Sequence, residues 1–356
     1  MKIGDFQPGF NRISLFGPLS FLKKEEFETM KSRIVYGPIL SRRLGRSLGV
    51  DVIKNTGSKK NCNYDCIYCQ LGHVEKKLKG PEDVQGAVTP AEVAEGLQNF
   101  HKNIEDLDFI TFSGTCEPTL NLSLGEMIRE IRKISEIQIC VITNSSLMGR
   151  PDVRENLAEA DLVVATLVSG NEAAWRNIHR PAPGLKFQEI LEGLRELSKK
   201  ESGPKLALEV MLLDHADGVS LNSTDEEVES LIEAVRYIAP DEIEILTTSR
   251  PPAEAYVVPV PEERLREIAE RFVAEFGKEK VTLVLKGKKK KRSKVSHQDP
   301  EEEVYALLLR RPCTFEQVEK ALDIDSGRLH LIIEKLLKAG KIVEVGSSGE
   351  EYYKAS

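Results

Sequence analysis

From Ile34 to about Leu285 the chain alternates short β-type apolar runs with helical stretches, which restricts it to a parallel sheet or a barrel. The strand candidates are Leu48–Ile53, Phe109–Ser113, Ile137–Thr143, Leu162–Leu167, Leu206–Leu213, Ile243–Thr247 and Val281–Leu285. Most follow one another at about 25–45 residues, leaving room for a crossover helix each time. The helices carry their own start signals. Thr89-Pro90-Ala91-Glu92 supplies an N-cap, a proline at the first helical position and a capping-box glutamate ahead of Val93 and Leu97. Thr224 and Glu227 repeat the logic before Val228, Leu231, Ile232 and Val235. About six such units suit a partial (β/α)6 barrel better than a doubly wound sheet, so the expected fold class is α/β.

Around this 34–285 barrel the pattern changes. Residues 1–33 show little period, are broken by Gly4, Pro8, Gly17 and Pro18, and read as an N-terminal extension. Residues 286–298, KGKKKKRSKVSHQ, hold seven Lys/Arg and no acid; such a run repels itself and reads as a linker. In 299–356, Asp299-Pro300 caps a first helix and Thr314 to Gln317 opens a second. Leu329, Ile332, Ile333, Leu336 and Leu337 mark one face of a third, which Gly340 stops. Ile342–Val345 and Glu351–Lys354 follow as a hairpin, predicting a winged helix-turn-helix domain. Behind a self-repelling linker, this domain is expected to fold alone, with no cofactor position beyond Leu285.

Composition removes several function classes. With 40% apolar residues in 356, the chain can bury a sizeable core. No apolar run approaches the roughly 20 residues of a membrane span. Six cysteines in this length do not make a disulfide-stapled secreted scaffold. A net charge of −7 argues against a wholesale nucleic-acid coat. A cytoplasmic protein is expected, and its cysteines need a chemical reason.

Cys62, Cys66 and Cys69 stand in N-C-N-Y-D-C-I-Y-C, a C-x3-C-x2-C spacing just after the first barrel strand. Three thiolates on one short loop can ligate three irons of a four-iron cube and leave the fourth open for catalysis. The same residues with His73 could instead form a structural Cys3His zinc site. Cys140, in an apolar strand, and Cys313, in the last domain, read as inert.

This spacing, with Tyr68 before the last cysteine, resembles the signature of the radical S-adenosylmethionine superfamily. S-G-T-C-E-P-T-L, Ser113–Leu120, resembles that family's glycine-glycine-glutamate-proline stretch, except that Cys116 replaces a usual glycine. The resemblance implies a [4Fe-4S] cluster on Cys62, Cys66 and Cys69, with S-adenosyl-L-methionine (SAM) at the open iron. Tyr68 would lie beside the cofactor, and Thr115, Cys116 and Glu117 would hold its amino group. Thr143-Asn144-Ser145 resembles the segment near ribose and carboxylate, which brings in Asn144 and Ser145; Thr166 and Ser169 are implied near the ribose, and Met211 and Leu246 to Thr248 near the adenine. Tyr36–Val50, Cys62–Gly72 and Thr248–Glu254 resemble radical enzymes related to the wyosine-base synthase of tRNA. Wyosine synthases carry a second cluster on N-terminal cysteines, and here no cysteine precedes Cys62.

The resemblance implies a radical enzyme that abstracts hydrogen from its substrate, with a flavodoxin or ferredoxin as electron donor. Arg42, Arg43 and Arg46 form a basic loop that could clamp a phosphate or carboxylate, and equally an ordinary salt-bridged turn. Arg180 and Arg250 carry the same two readings. Residues 299–356 hold eight basic and twelve acidic residues, net −4, which opposes phosphate binding, while the seven basic residues of the linker could grip nucleic acid without sequence preference; docking to protein or RNA is expected ahead of sequence-specific DNA reading. RNA is therefore one candidate substrate. The alternative is a redox-sensing regulator with a cluster as sensor and the winged helix as DNA-binding output; Ser113–Leu120 favours the enzyme.

Overall fold

The structure, a computed structural model, describes residues 34–41, 43–54, 60–100, 107–285, 299–347 and 349–356. The N-terminal extension, Arg42 and the basic linker lie outside the described residues. Strands β1 (Val35–Ser41) and β2 (Gly45–Val50) form an antiparallel hairpin. Beside β2 lie β3 (Phe109–Phe112), β4 (Gln138–Thr143), β5 (Leu162–Leu167), β6 (Lys205–His215) and β7 (Glu242–Thr247), all parallel. β8 (Val257–Pro259) pairs antiparallel with the end of β6, and β9 (Val281–Leu283) extends the parallel sheet beyond β7. The described strands run in the order β1-β2-β3-β4-β5-β6-β7-β9, an α/β fold with a mostly parallel sheet.

Period-2 alternation gives the sheet two faces. Ile110, Phe112, Ile139, Val141, Val163 and Ala165 point outward into one large core. There they meet α1 (Pro90–Gln98), α2 (Leu124–Arg132), α3 (Pro151–Leu157), α4 (Glu172–His179), α5 (Phe187–Ser198), α6 (Asp225–Ile238) and α7 (Glu262–Phe276). The residues between face the lumen, where Leu44, Cys140, Val164 and Ala207 make a separate apolar layer. The capping box before α1 forms as the sequence implies: Glu92 N–H donates to Thr89 Oγ1 at 3.3 Å, and Thr89 N–H to Glu92 Oε2 at 2.9 Å.

The β1–β2 hairpin was not visible as two strands in the sequence. Its turn carries Arg43 into the lumen, where the guanidinium donates to Glu209 on β6 and Glu244 on β7. Burial by itself lowers the Arg43 pKa; the two carboxylates outweigh that and raise it. The turn therefore plugs the barrel with one guanidinium paired to two carboxylates.

Residues beyond 299 form α8 (Pro300–Arg310), α9 (Phe315–Leu322), α10 (Ser326–Lys338) and an antiparallel pair, β10 (Ile342–Ser347) and β11 (Glu350–Ala355). Asp299, Thr314 and Asp325 cap the three helices. Val304, Leu308, Val318, Leu329, Ile333 and Leu336 build a core of their own. That core is not isolated: α8 and α9 pack on β1, and Ile39 of β1 joins it. Tyr352 Oη donates to the Ser249 carbonyl at 3.1 Å. No described helix is long and apolar enough to cross a membrane.

Removing the plug should register as lost stability. Arg43→Ala leaves two largely buried carboxylates without their cation, and a cost of about 3 kcal/mol is expected. The denaturant midpoint of the purified protein measures it; an unchanged midpoint would show that Arg43 is not structural.

Candidate functional site

Catalytic groups of β/α barrels gather at the C-terminal ends of the strands, and the cysteine loop leaves β2 at that end. Cys62 and Cys66 are buried and Cys69 half-buried. Backbone bonds stitch the loop to three neighbours. Asn61 N–H donates to Thr115 O at 3.0 Å and Glu117 N–H to Asn61 O at 2.9 Å, joining it to the segment after β3. Asp65 and Ile67 N–H groups donate to His179 O and Ile178 O at the end of α4, and Glu254 N–H donates to Ile67 O. Tyr64, fully buried, packs edge-on against His179 and accepts from Trp175 Nε1 at 3.2 Å. Burial drives the His179 pKa down to about 3, so this imidazole is neutral; its Nε2 and the Tyr68 hydroxyl share a 3.3 Å hydrogen bond.

Lys60 is the residue that sequence reasoning missed. It is 4% exposed, and burial alone would lower its pKa; nearby Cys69, Cys66 and Cys62 raise it above the ordinary lysine range. Burial in turn lifts the Cys62 thiol to about 11, against the pull of Lys60. A buried ammonium among three thiols suits a thiolate-ligated anionic cluster, whose charge it would offset. Asn63 adds a buried Nδ2 that no partner satisfies, while its Oδ1 accepts from Asn144 Nδ2 and Ser146 Oγ. These groups fit a cluster on Cys62, Cys66 and Cys69. The zinc alternative fares worse. His73 Nδ1 lies 3.1 Å from Asp65 Oδ1, and among the described residues no three such side chains converge on a single-ion site.

The segment after β3 is held from two sides. Asp51, just past β2, accepts the Thr115 N–H at 2.7 Å on Oδ1. Gly114 sits at φ +132°, and a Cβ there would come 2.0 Å from Asp51 Oδ1, so this position requires glycine. The Glu117 carboxylate is buried and accepts four bonds: from Thr119 N–H and Oγ1, Thr143 Oγ1 and Asn144 N–H, at 2.7–3.0 Å. Burial pushes its pKa up and these donors pull it back. It ties the segment after β3 to the one after β4. Asn144 Nδ2 also donates to Cys62 Sγ at 3.3 Å, which places it at the cysteine loop.

A cavity of about 430 Å³ runs into the lumen from these loops. Tyr68, Cys69 and Cys116 line it, as do Met211 and Leu246 to Thr248. The Cys116 thiol lies near the backbone N–H groups of Val52 and Ile53, and burial followed by Asp51 raises its pKa. Other expected residues lie elsewhere. Ser145 donates to Thr166 O at 2.9 Å, and Ser169, wholly buried, donates to Glu227 at 2.8 Å ahead of α4. Thr166 sits opposite Glu209 in the β5–β6 register. Arg43 lines the same cavity, held by Glu209 and Glu244, and the Arg46 backbone N–H donates to Asp108 Oδ2 at 2.7 Å. Arg180 is tied to Glu254 and Tyr256. Cys140 belongs to the lumen's apolar layer and Cys313 to the C-terminal core.

The mouth has a wall that the sequence did not announce. Arg310, at the end of α8, is 4% exposed; its Nε donates to Asp51 Oδ2 at 2.7 Å, and its guanidinium lies 4.0 Å from the Tyr36 ring centre. Burial raises the Asp51 pKa, with Arg310 foremost among the groups opposing it. Arg310 and Arg311 both line the cavity, so residues beyond Leu285 reach it. On α10, Lys335 pairs with Glu301 and Lys338 with Glu334.

Residues 59–235 match the family described as the radical SAM superfamily. A UPF0026 protein of Methanocaldococcus jannaschii is 32% identical over 326 residues, covering 90% of this chain and 95% of that protein. A protein named GTPase Obg in Brachyspira hyodysenteriae is 31% identical over 331 residues, covering 92% of this chain. The chain spans 46% of that protein's length and has no G-x-x-x-x-G-K-[ST] run. Streptococcus suis SuiB bound to S-adenosylmethionine overlaps 64% of this chain and 48% of its own, with 14% identity and a TM-score of 0.46.

Two outcomes test the site. Cys62→Ala, Cys66→Ala and Cys69→Ala should each abolish cluster assembly, while Cys140→Ala and Cys313→Ala should keep full iron and sulfide content after anaerobic reconstitution. An essential Cys140 would overturn the ligand set. Arg310→Gln leaves the Asp51 carboxylate buried without its cation and frees the Thr115 loop; SAM affinity should fall tenfold or more by calorimetry, with iron content retained. Equal affinity would reduce Arg310 to an anchor of the C-terminal elements alone.

Proposed function

The chain belongs to the UPF0026 family and carries a radical SAM domain, and on that premise we propose that it is a radical SAM enzyme abstracting hydrogen from a small substrate or an exposed substrate end. That domain works with a [4Fe-4S] cluster and S-adenosylmethionine, which when bound supply reductive cleavage to methionine and a 5′-deoxyadenosyl radical. The observation that carries the reading is Lys60 buried among Cys62, Cys66 and Cys69, on a loop bonded directly to the segment after β3.

The chain's own residues bind, orient and exclude water. Cys62, Cys66 and Cys69 provide three ligands, and Lys60 offsets their charge. Asp51 and Glu117 fix the backbone from Gly114 to Asn121, which would receive the cofactor's polar end, with Thr115 nearest Asp51. Met211 and Leu246 supply apolar lumen wall suited to a flat ring. Half-buried Cys69 lines the cavity, which suits electron delivery by a flavodoxin- or ferredoxin-type donor docking over the cysteine loop. RNA modification is the finer reading; the support for it is the seven basic residues of 286–298 and the arginines at the mouth.

Anaerobic incubation of reconstituted protein with dithionite and SAM should release 5′-deoxyadenosine and methionine in equal amounts. Protein that holds about four irons yet never forms 5′-deoxyadenosine would sink the proposal.

A further inference from the structure

The adjacent arginines at the end of α8 have different surroundings. Arg310 is buried and held by Asp51, the Ala306 carbonyl and the Tyr36 ring. Arg311 lines the same cavity half-buried, and its side chain forms no hydrogen bond or ion pair among the described residues. Its Nε is shut off from solvent. A donor N–H shut off from water without an acceptor is one that a ligand can satisfy. Across the cavity wall Arg250 is also half-buried, donates to Gln70 Oε1 at 3.1 Å and so stands beside Cys69.

We propose that Arg311, whose buried Nε lacks an acceptor at the cavity wall, binds an oxyanion group of the substrate, a carboxylate or a phosphate, and thereby orients the reacting carbon toward the cysteine loop. A guanidinium presents a planar fork of donors that matches both groups and holds them in one orientation. Because Arg310 anchors the same turn to Asp51, the fork is fixed relative to the Thr115 segment: one residue of the pair sets the position, the next meets the ligand. This rests on the radical SAM reading and adds to it the class of substrate and the part played by the C-terminal elements.

The test uses full-length, anaerobically reconstituted protein saturated with SAM. It is titrated calorimetrically with inorganic pyrophosphate and, separately, with succinate. One of the two should bind, identifying phosphate or carboxylate, and Arg311→Gln should weaken that binding at least tenfold. In a second arm, phenylglyoxal labelling of wild-type protein, with and without cofactor, is read by peptide mass spectrometry. The anion should slow labelling of Arg311 severalfold and leave exposed Arg328 unchanged. Binding of neither anion, binding abolished by SAM, equal affinity in the variant, or unprotected Arg311 would each overturn the proposal. Failure of the wild-type protein to bind iron or SAM would instead overturn the enzymatic reading, and the labelling arm still judges Arg311 by itself.

Discussion

The two oxygens of one buried carboxylate join the parts of this molecule. Asp51 Oδ1 accepts the Thr115 N–H, and Asp51 Oδ2 accepts Arg310 Nε. One oxygen sets the backbone of the segment after β3, and the other holds the last turn of α8. Both bonds are buried, where a lost partner leaves an uncompensated charge rather than a solvated one. Gly114 follows from the same contact, since any side chain there would displace the carboxylate. So does the stacking of Arg310 on Tyr36, whose hydroxyl shares a 3.1 Å hydrogen bond with Ser113.

What the sequence made legible is what local pattern can carry. The parallel strands appeared as apolar runs because a strand covered by helices on one side and filled on the other is apolar on both faces; β5 was placed at Leu162–Leu167 to the residue. Caps at Thr89, Thr224, Asp299 and Thr314 were legible because they rely on residues three or four apart. The cysteine triplet was legible because its spacing is short. The β1 strand was not, since Gly37 and Pro38 interrupt its alternation. Lys60 has no pattern around it beyond standing two residues before Cys62, and its meaning comes from the fold that buries it.

Arg310 shows the limit most clearly. It is separated from Asp51 by 259 residues, with a basic run between them that marks a domain boundary in every compositional sense. Charge repulsion within residues 286–298 argues about those residues alone. It says nothing about the surface on which the next helix lands. The net charge of −4 beyond residue 299 is an average in the same way, taken over a turn where two arginines stand together and line the cavity.

The docked C-terminal elements also bear on what can react. A cavity of about 430 Å³ lies toward the small end of the range that accommodates one drug-sized ligand, roughly 300–1,000 Å³. A nucleoside-bearing cofactor takes much of that volume, so cofactor and a whole large substrate exceed it. Under the proposed function a substrate would then be small or present one end at the mouth, where the wall is built from β7's following loop on one side and α8 on the other. Moving that wall means separating Arg310 from Asp51, which also disturbs Thr115. Access to the mouth and the shape of the cofactor-facing backbone are therefore linked through a single ion pair, and a change at either end is felt at the other.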